Sequence, residues 1–201
     1  MIPTKQEAEE LLIWANEQNP GVWVDHSRVV ARAAKTIASR CGLDIERAYV
    51  SGLLHDIGRW EGRRDLHHIY SGYELMKSMG YYEIADVCLS HSFPTPNVGI
   101  GEYFGRNDCT KEETDTIVSF LVNKELDDYD RLIQLCDSIG TIKGVSLVEV
   151  RLIDVIQRHG FNEFSVLKIA AYLDLKRYFD RLCGINIYSL FYDEIQKSIL
   201  D

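Results

Sequence analysis

The chain has 201 residues, 46% of them hydrophobic and 26% charged, a composition that suits one globular domain with a sizeable core. Its formal net charge of −9 argues against stable binding of nucleic acid through phosphates, but a bound metal can outweigh that field locally, so a small anionic substrate remains compatible. No apolar run approaches the ~20 residues of a membrane span, and the N-terminus, MIPTKQEAEELLIWANEQ, is acidic where a secretory signal would be basic; a cytoplasmic location is expected.

The periodicity is helical almost throughout. A first helix over about 4–18 stops at Asn19-Pro20-Gly21. A second, about 22–41, ends at Gly42 and carries an apolar face of Val29/Val30, Ala33/Ala34 and Ile37, with His26 on the same inward side. A third begins after Asp44, an N-cap residue, and places Ile45, Ala48, Gly52, His55 and Asp56 at steps of three to four. Helix four, about 66–79, takes Asp65 as its N-cap and forms a row from His68, Gly72, Leu75 and Met79. Helix five, about 81–91, puts His91 on the stripe of Ile84, Val87 and Cys88.

A loop with Pro94, Pro96, Gly99, Gly101 and Gly105 then runs to about 109, long enough to be a lid or substrate loop. Thr110 and Glu113 form a capping box that opens helix six, with Ile117, Val118 and Leu121 inward. Helix seven, about 127–140, carries Leu132, Leu135, Cys136 and Ile139, and Asp137 sits inside that apolar run. Helices over about 145–159, 163–183 and 187–200 complete the chain. The last, with Tyr188, Phe191, Tyr192, Ile195 and Ile199, is read as docking on the bundle or on a second subunit, which makes a homodimer an expected possibility. The five cysteines are odd in number, widely spaced and without a CxxC; Cys41, Cys88, Cys136 and Cys183 read as small buried hydrophobes, and no disulfide framework is expected.

The residues that carry chemistry centre on Leu53-Leu54-His55-Asp56-Ile57-Gly58. An adjacent His-Asp pair ending an apolar helix projects two donors about 100° apart, so Asp56 can bridge two ions while His55 binds one. His26, His68, His91 and Asp137 come from four other helices, which is how bundles assemble internal metal sites. A single inward histidine is more often a satisfied core residue, and an inward Asp137 is compatible with an ion pair to Arg131 or Lys143. The concurrence of six such residues favours a metal site. His68 is preferred over His67 from its spacing to Gly72, and His159 before Gly160 fits a helix C-terminus. Mixed imidazole and carboxylate donors suit Fe, Mn, Co, Ni or Zn, as one or two ions.

The order His26, His55-Asp56, Asp137 resembles the H…HD…D signature of the HD superfamily of metal-dependent phosphohydrolases. His26-Ser27-Arg28-Val29, Ala48 to Gly58 and the string LIQLCDSIG over 132–140 resemble its three motifs. The resemblance implies an all-α HD-domain bundle over 1–201, with a metal-site core at about 20–145 and C-terminal helices over 146–201. It implies that His26, His55, Asp56 and Asp137 ligate one divalent metal. The segment from His68 to Gly72, together with His91, resembles the extra histidines of the dinuclear branch. That branch includes hydrolases of diadenosine polyphosphates, cyclic-dinucleotide phosphodiesterases and a few di-iron oxygenases. The chain departs from the diadenosine hydrolases at Ser92-Phe93-Pro94, where they carry a His-Thr-Thr-Gly run.

The expected activity is hydrolysis of a phosphoester or phosphoanhydride, with a nucleotide as substrate, by a metal-activated water. Asp56 and Arg59 are the expected catalytic residues. Arg59, Arg63 and Arg64 are the expected contacts to the anionic substrate, and Arg106 is a loop candidate. The alternatives are a di-iron oxygenase using the same six ligands and a non-catalytic HD module that binds a nucleotide as a regulator.

Overall fold

Apolar residues recurring every three to four positions become ten α-helices among the described residues. The computed structural model describes residues 1–62, 65–95, 107–161 and 163–200, without the side chains of residues 159, 163 and 198–200. Arg63, Arg64, Arg106, the middle of the 92–109 loop, and the side chains of His159 and Ile199 therefore lie outside the described residues.

The helices are α1 (Lys5–Gln18), α2 (Trp23–Cys41), α3 (Ile45–Leu54), α4 (His67–Ser78), α5 (Tyr82–Ser90), α6 (Lys111–Asn123), α7 (Asp128–Ile139), α8 (Val148–His159), α9 (Glu163–Cys183) and α10 (Tyr192–Leu200). Short 3₁₀ turns occupy Ile57–Glu61 and Ile187–Phe191. A hairpin of β1 (Gly140–Thr141) and β2 (Gly144–Val145) pairs Gly140 with Val145 and is the one sheet among the described residues.

Several boundaries follow from capping chemistry. Thr4 with Glu7 and Thr110 with Glu113 form complete capping boxes, and Asp44 accepts the N–H groups of Glu46 and Arg47. Gly42 ends α2 at φ 75°, a left-handed conformation that favours glycine. Asp65 does not cap α4. The chain is already helical at Leu66, and the Asp108 carboxylate instead accepts the N–H groups of Asp65, Leu66 and His67 at 3.0, 2.8 and 2.8 Å.

Other expectations are corrected by packing. Ile45 and Met79 are exposed, and Met76 takes the buried place on α4. The hairpin takes up Gly144 and Val145, so α8 begins at Val148. The expected last helix divides at Tyr192, because residues 187–191 wind as 3₁₀. Ile187, Phe191 and Ile195 are then buried, and Tyr192 is exposed. Glu194 fixes α10 to the bundle through Arg32 and the N–H of Val145. Cys41 and Cys183, expected as free apolar thiols, are joined by a disulfide where the C-terminal ends of α2 and α9 meet, with their Cα atoms 4.6 Å apart. A pairing across 142 residues of sequence leaves no spacing signal. Cys88 and Cys136 are free and buried, as expected.

α2 is the shared wall of two cores. Val30, Ala33, Ala34 and Ile37 face a cluster with α7, α8 and α9, while Val24 and Ala31 face one with α1, α3 and α5. Small residues allow the close approach of α2 and α3: a Cβ on Gly52 would stand 2.8 Å from the Ala31 Cα. A third cluster joins α4, α5 and α6 through Leu66, Ile69, Leu89, Phe93, Ile117 and Leu121. The end of α3 therefore opens where α2, α4, α5 and α7 converge.

Candidate metal centre

At that convergence α3 stops at Leu54, and His55 and Asp56 lead into the 3₁₀ turn. Gly58 makes the turn possible. A Cβ there would lie 2.0 Å from the His68 carbonyl oxygen and 2.3 Å from the Gly72 nitrogen, so only glycine lets this turn lie flush against α4. The contact brings the Asp56 carboxylate to His68.

The structure draws His26, His55, Asp56, His68, His91 and Asp137 together. Their imidazoles form a chain, with ring centroids 5.3 Å apart for His26–His55, 5.0 Å for His55–His91 and 5.7 Å for His68–His91. His26 Nε2 lies 2.9 Å from Asp137 Oδ1, and His55 Nε2 lies 3.7 Å from the same oxygen. Asp56 faces both ways. Its Oδ1 is 3.1 Å from His68 Nε2 and 3.6 Å from His91 Nε2, while its Oδ2 is 3.9 Å from His55 Nε2. His67 points elsewhere, to Glu61 and Glu113.

Three of the histidines are oriented in the same way. The Nδ1 of His55 donates to the Gly52 carbonyl at 2.7 Å, that of His68 to the Asp65 carbonyl at 2.5 Å, and that of His91 to the Cys88 carbonyl at 2.9 Å. A carbonyl only accepts, so the proton of each ring at this contact sits on Nδ1 and the Nε2 edge is turned inward. This is the outer-sphere arrangement of metal-ligating histidines. His55 Nε2 and Asp56 Oδ1 are buried with no hydrogen-bond partner, an expensive situation that a cation would relieve. The donor set therefore fits a divalent metal, and two overlapping groups, His26/His55/Asp137 and His55/Asp56/His91, have ligand atoms close enough to share one.

The local field separates the protonation states. Burial pushes the His91 imidazolium down to about 3, with His55 adding to the shift, and burial also lowers His55. Both rings are neutral, as ligands must be. Burial alone would raise Asp56, but Arg59, His68 and His55 hold it well below the usual carboxylate range. Asp137 is likewise held low against its burial, chiefly by the His26 hydrogen bond. Burial works against a charge on His26, and Asp137 overrides it, so His26 is raised.

Arg59, expected at the substrate, spends its Nε on Asp56 Oδ2 at 2.5 Å, and its Nη2 stands 3.4 Å from His68 Nε2. The Asn19 amide donates to the Arg59 carbonyl. Neither Arg131 nor Lys143 is the partner of Asp137; Arg131 pairs with Asp128, and the side chain bonded to Asp137 is His26.

Sequence reasoning missed the brace behind His91. Gln134 Nε2 donates to the carbonyls of Ser90 and Phe93 at 2.9 and 3.1 Å, and the Ser90 hydroxyl donates to Asp130 Oδ1 at 2.8 Å. A signal existed. Asp130, Gln134 and Asp137 recur at steps of four and three, a polar row along the inward face of α7. Asp108, which terminates the N–H groups of α4, had no such signal.

No solved structure matches the chain. A family model does: the HD domain matches residues 23–142, a span that starts at α2, closes after the hairpin begins, and contains all six converging residues.

Proposed function

The chain belongs to the HD domain family, and from that premise we propose that it is a metal-dependent phosphohydrolase acting on a small nucleotide-type phosphate. The observation that carries the reading is the set of three buried imidazoles whose Nδ1 groups are tied to main-chain carbonyls and whose Nε2 atoms converge on Asp56 and its surroundings. His26, His55, Asp56 and Asp137 would hold one ion, and Asp56 with His68 and His91 would hold a second. Among available metals, Fe, Mn, Co, Ni and Zn suit these donors. When bound, such an ion supplies a hydroxide near neutral pH and polarises phosphoryl oxygens.

The chain's own residues do the rest. Asp56 divides its two oxygens between the His55 side and the His68/His91 side, which suits a bridging carboxylate. His26 joins the ligand set only after losing the Nε2 proton it shares with Asp137. Arg59 fixes the Asp56 carboxylate and adds a cation beside the place where phosphoryl charge gathers. Arg63 and Arg64 follow it in sequence as further substrate contacts. The C-terminal helices, packed on α7 and α2, are taken as part of the same domain.

The test is a hydrolysis screen of the stripped protein reloaded with Mn, Co, Ni or Fe. Substrates are nucleoside monophosphates, dinucleoside polyphosphates and cyclic dinucleotides. Metal-dependent release of phosphate or nucleotide is expected. Two irons per chain with a mixed-valence signal and no turnover on any phosphate ester would instead identify an oxygenase. Tight nucleotide binding without turnover would identify a regulatory module.

A further inference from the structure

Outside the six converging residues, a different set of donors gathers at the start of α4. His67 Nδ1 lies 3.2 Å from Glu113 Oε2, and its Nε2 lies 2.9 Å from Glu61 Oε2. A thiol completes the group: donor atoms of His67, Cys109 and Glu113 all lie within 4.8 Å of one another. The Asp108 carboxylate explains the meeting. It accepts the N–H groups of Asp65, Leu66 and His67, which fastens the residue before Cys109 to the first turn of α4. On its own segment Cys109 donates its N–H to Asn107 Oδ1 at 2.9 Å, and Thr110 with Glu113 opens α6 directly after it. The side chains of His67 and Glu113 are 21 and 19% exposed, so an ion from solvent can reach them.

Both nitrogens of His67 face a carboxylate. A neutral imidazole carries one proton and donates to only one of them. Both contacts together need either a charged ring or a cation in place of one proton. With a cation at Nδ1, the ring gives its lone pair there and donates Nε2–H to Glu61, the carboxylate–histidine–metal arrangement. Both hydrogen bonds of Glu113, with the Thr110 N–H and with His67, fall on Oε2, which leaves Oε1 for an ion. Burial, with Glu113 and Asp108, pushes the Cys109 thiol up to about 12. The same carboxylates favour a cation at that spot, and a coordinating ion deprotonates a thiol outright.

We propose that His67, Cys109 and Glu113 form a further metal site, separate from the converging centre, for a thiophilic divalent ion such as zinc, with Glu61 orienting His67 and water in the fourth position. Thiolate beside imidazole and carboxylate suits zinc better than manganese or magnesium. Binding releases the Cys109 thiol proton and any proton on His67 Nδ1 to solvent, with no change of oxidation state. The ion would tie the start of α4, one residue from His68, to the start of α6.

The test is a Co(II) titration of the chelator-stripped full chain, without added thiol, followed by absorbance. The six converging residues offer only nitrogen and oxygen donors, so a thiolate-to-cobalt charge-transfer band in the near ultraviolet reports a cysteine ligand. The band should appear in wild type, be displaced by Zn(II), persist in His55→Ala and Cys88→Ala, and vanish in Cys109→Ser. Glu61→Gln should weaken binding, read from the midpoint of the band, by about tenfold or more, the loss of an outer-sphere partner, and His67→Ala should weaken it further. If Cys109→Ser does not fold, protection of Cys109 from alkylation by Zn(II), mapped by mass spectrometry on wild type, answers the same question. A wild type without the band, a band kept in Cys109→Ser or lost in folded His55→Ala, or an unchanged midpoint in His67→Ala would overturn the site. Each of these results would leave the phosphohydrolase reading standing.

Discussion

Replacing Gly58 by alanine tests how the 3₁₀ turn positions Asp56. The new Cβ would stand 2.0 Å from the His68 carbonyl oxygen and 2.3 Å from the Gly72 nitrogen. Ordinary contact begins near 3.4 Å, so the turn and α4 must separate by about 1.4 Å. Both partners are main chain, and no rotamer change relieves them. Overpacking of this kind costs about 1–3 kcal/mol, and two main-chain clashes place this case at about 3 kcal/mol. For a chain of this length that lowers Tm by about 6–12 °C. The separation also pulls His68 from Asp56 Oδ1, now 3.1 Å from its Nε2. Metal content at saturating Mn(II) should therefore fall below that of wild type, with the His26/His55/Asp137 group the least affected. Thermal melts by circular dichroism and elemental analysis read the two effects. A Tm within about 2 °C of wild type, less than the shift from 1 kcal/mol, together with unchanged metal content, would refute this view of the turn.

Asp56→Ala should abolish phosphoester turnover and reduce metal content while the helical circular dichroism persists; wild-type turnover would place the chemistry elsewhere. Asp108→Ala removes the acceptor of three N–H groups at the start of α4 and should cost about 1–2 kcal/mol in urea denaturation; an unchanged midpoint would show that water replaces it. The metal-free protein should lose stability on acidification below about pH 6.5. Unfolded histidine titrates near 6.5, whereas His91 is held to about 3 and His55 is lowered. The unfolded chain therefore takes up protons that the folded chain refuses, about 1.4 kcal/mol per pH unit for each such histidine. His26, raised in the fold, contributes fully below its unfolded pKa and loses that contribution only as pH rises, so it does not offset the acid loss. Below about pH 4 the lowered Asp56 and Asp137 add to the loss. Urea midpoints in chelator at pH 7 and 5 decide this, and a flat or rising midpoint toward acid would contradict it.

Much of the bundle was legible because its determinants are local. Capping residues such as Asp44 and Thr110 act within four residues, and apolar steps of three to four mark the inward faces. The convergence of His26, His55, Asp56 and Asp137 was legible for another reason: four polar residues on buried stripes need a common partner. What escaped reading depends on contacts between distant segments. Asp108 reaches back to the start of α4, Cys41 meets Cys183, and Gln134 braces the end of α5 from α7. The first two pairings have no spacing that a linear sequence displays, and the row of Asp130, Gln134 and Asp137 marks Gln134 as inward without naming its partner. The division of the last helix at Tyr192 escaped because 3₁₀ and α winding place nearly the same residues inward over five positions.

The most direct test of metal-dependent hydrolysis at this centre is a Mn(II) titration of chelator-stripped protein, following initial rates on a phosphate ester that the screen identifies. The rate should be negligible without metal, rise with added ion and saturate at one or two ions per chain, and His55→Ala should abolish that rise. Turnover that is independent of metal, or tight uptake of one or two ions without hydrolysis of any phosphate ester, would contradict it.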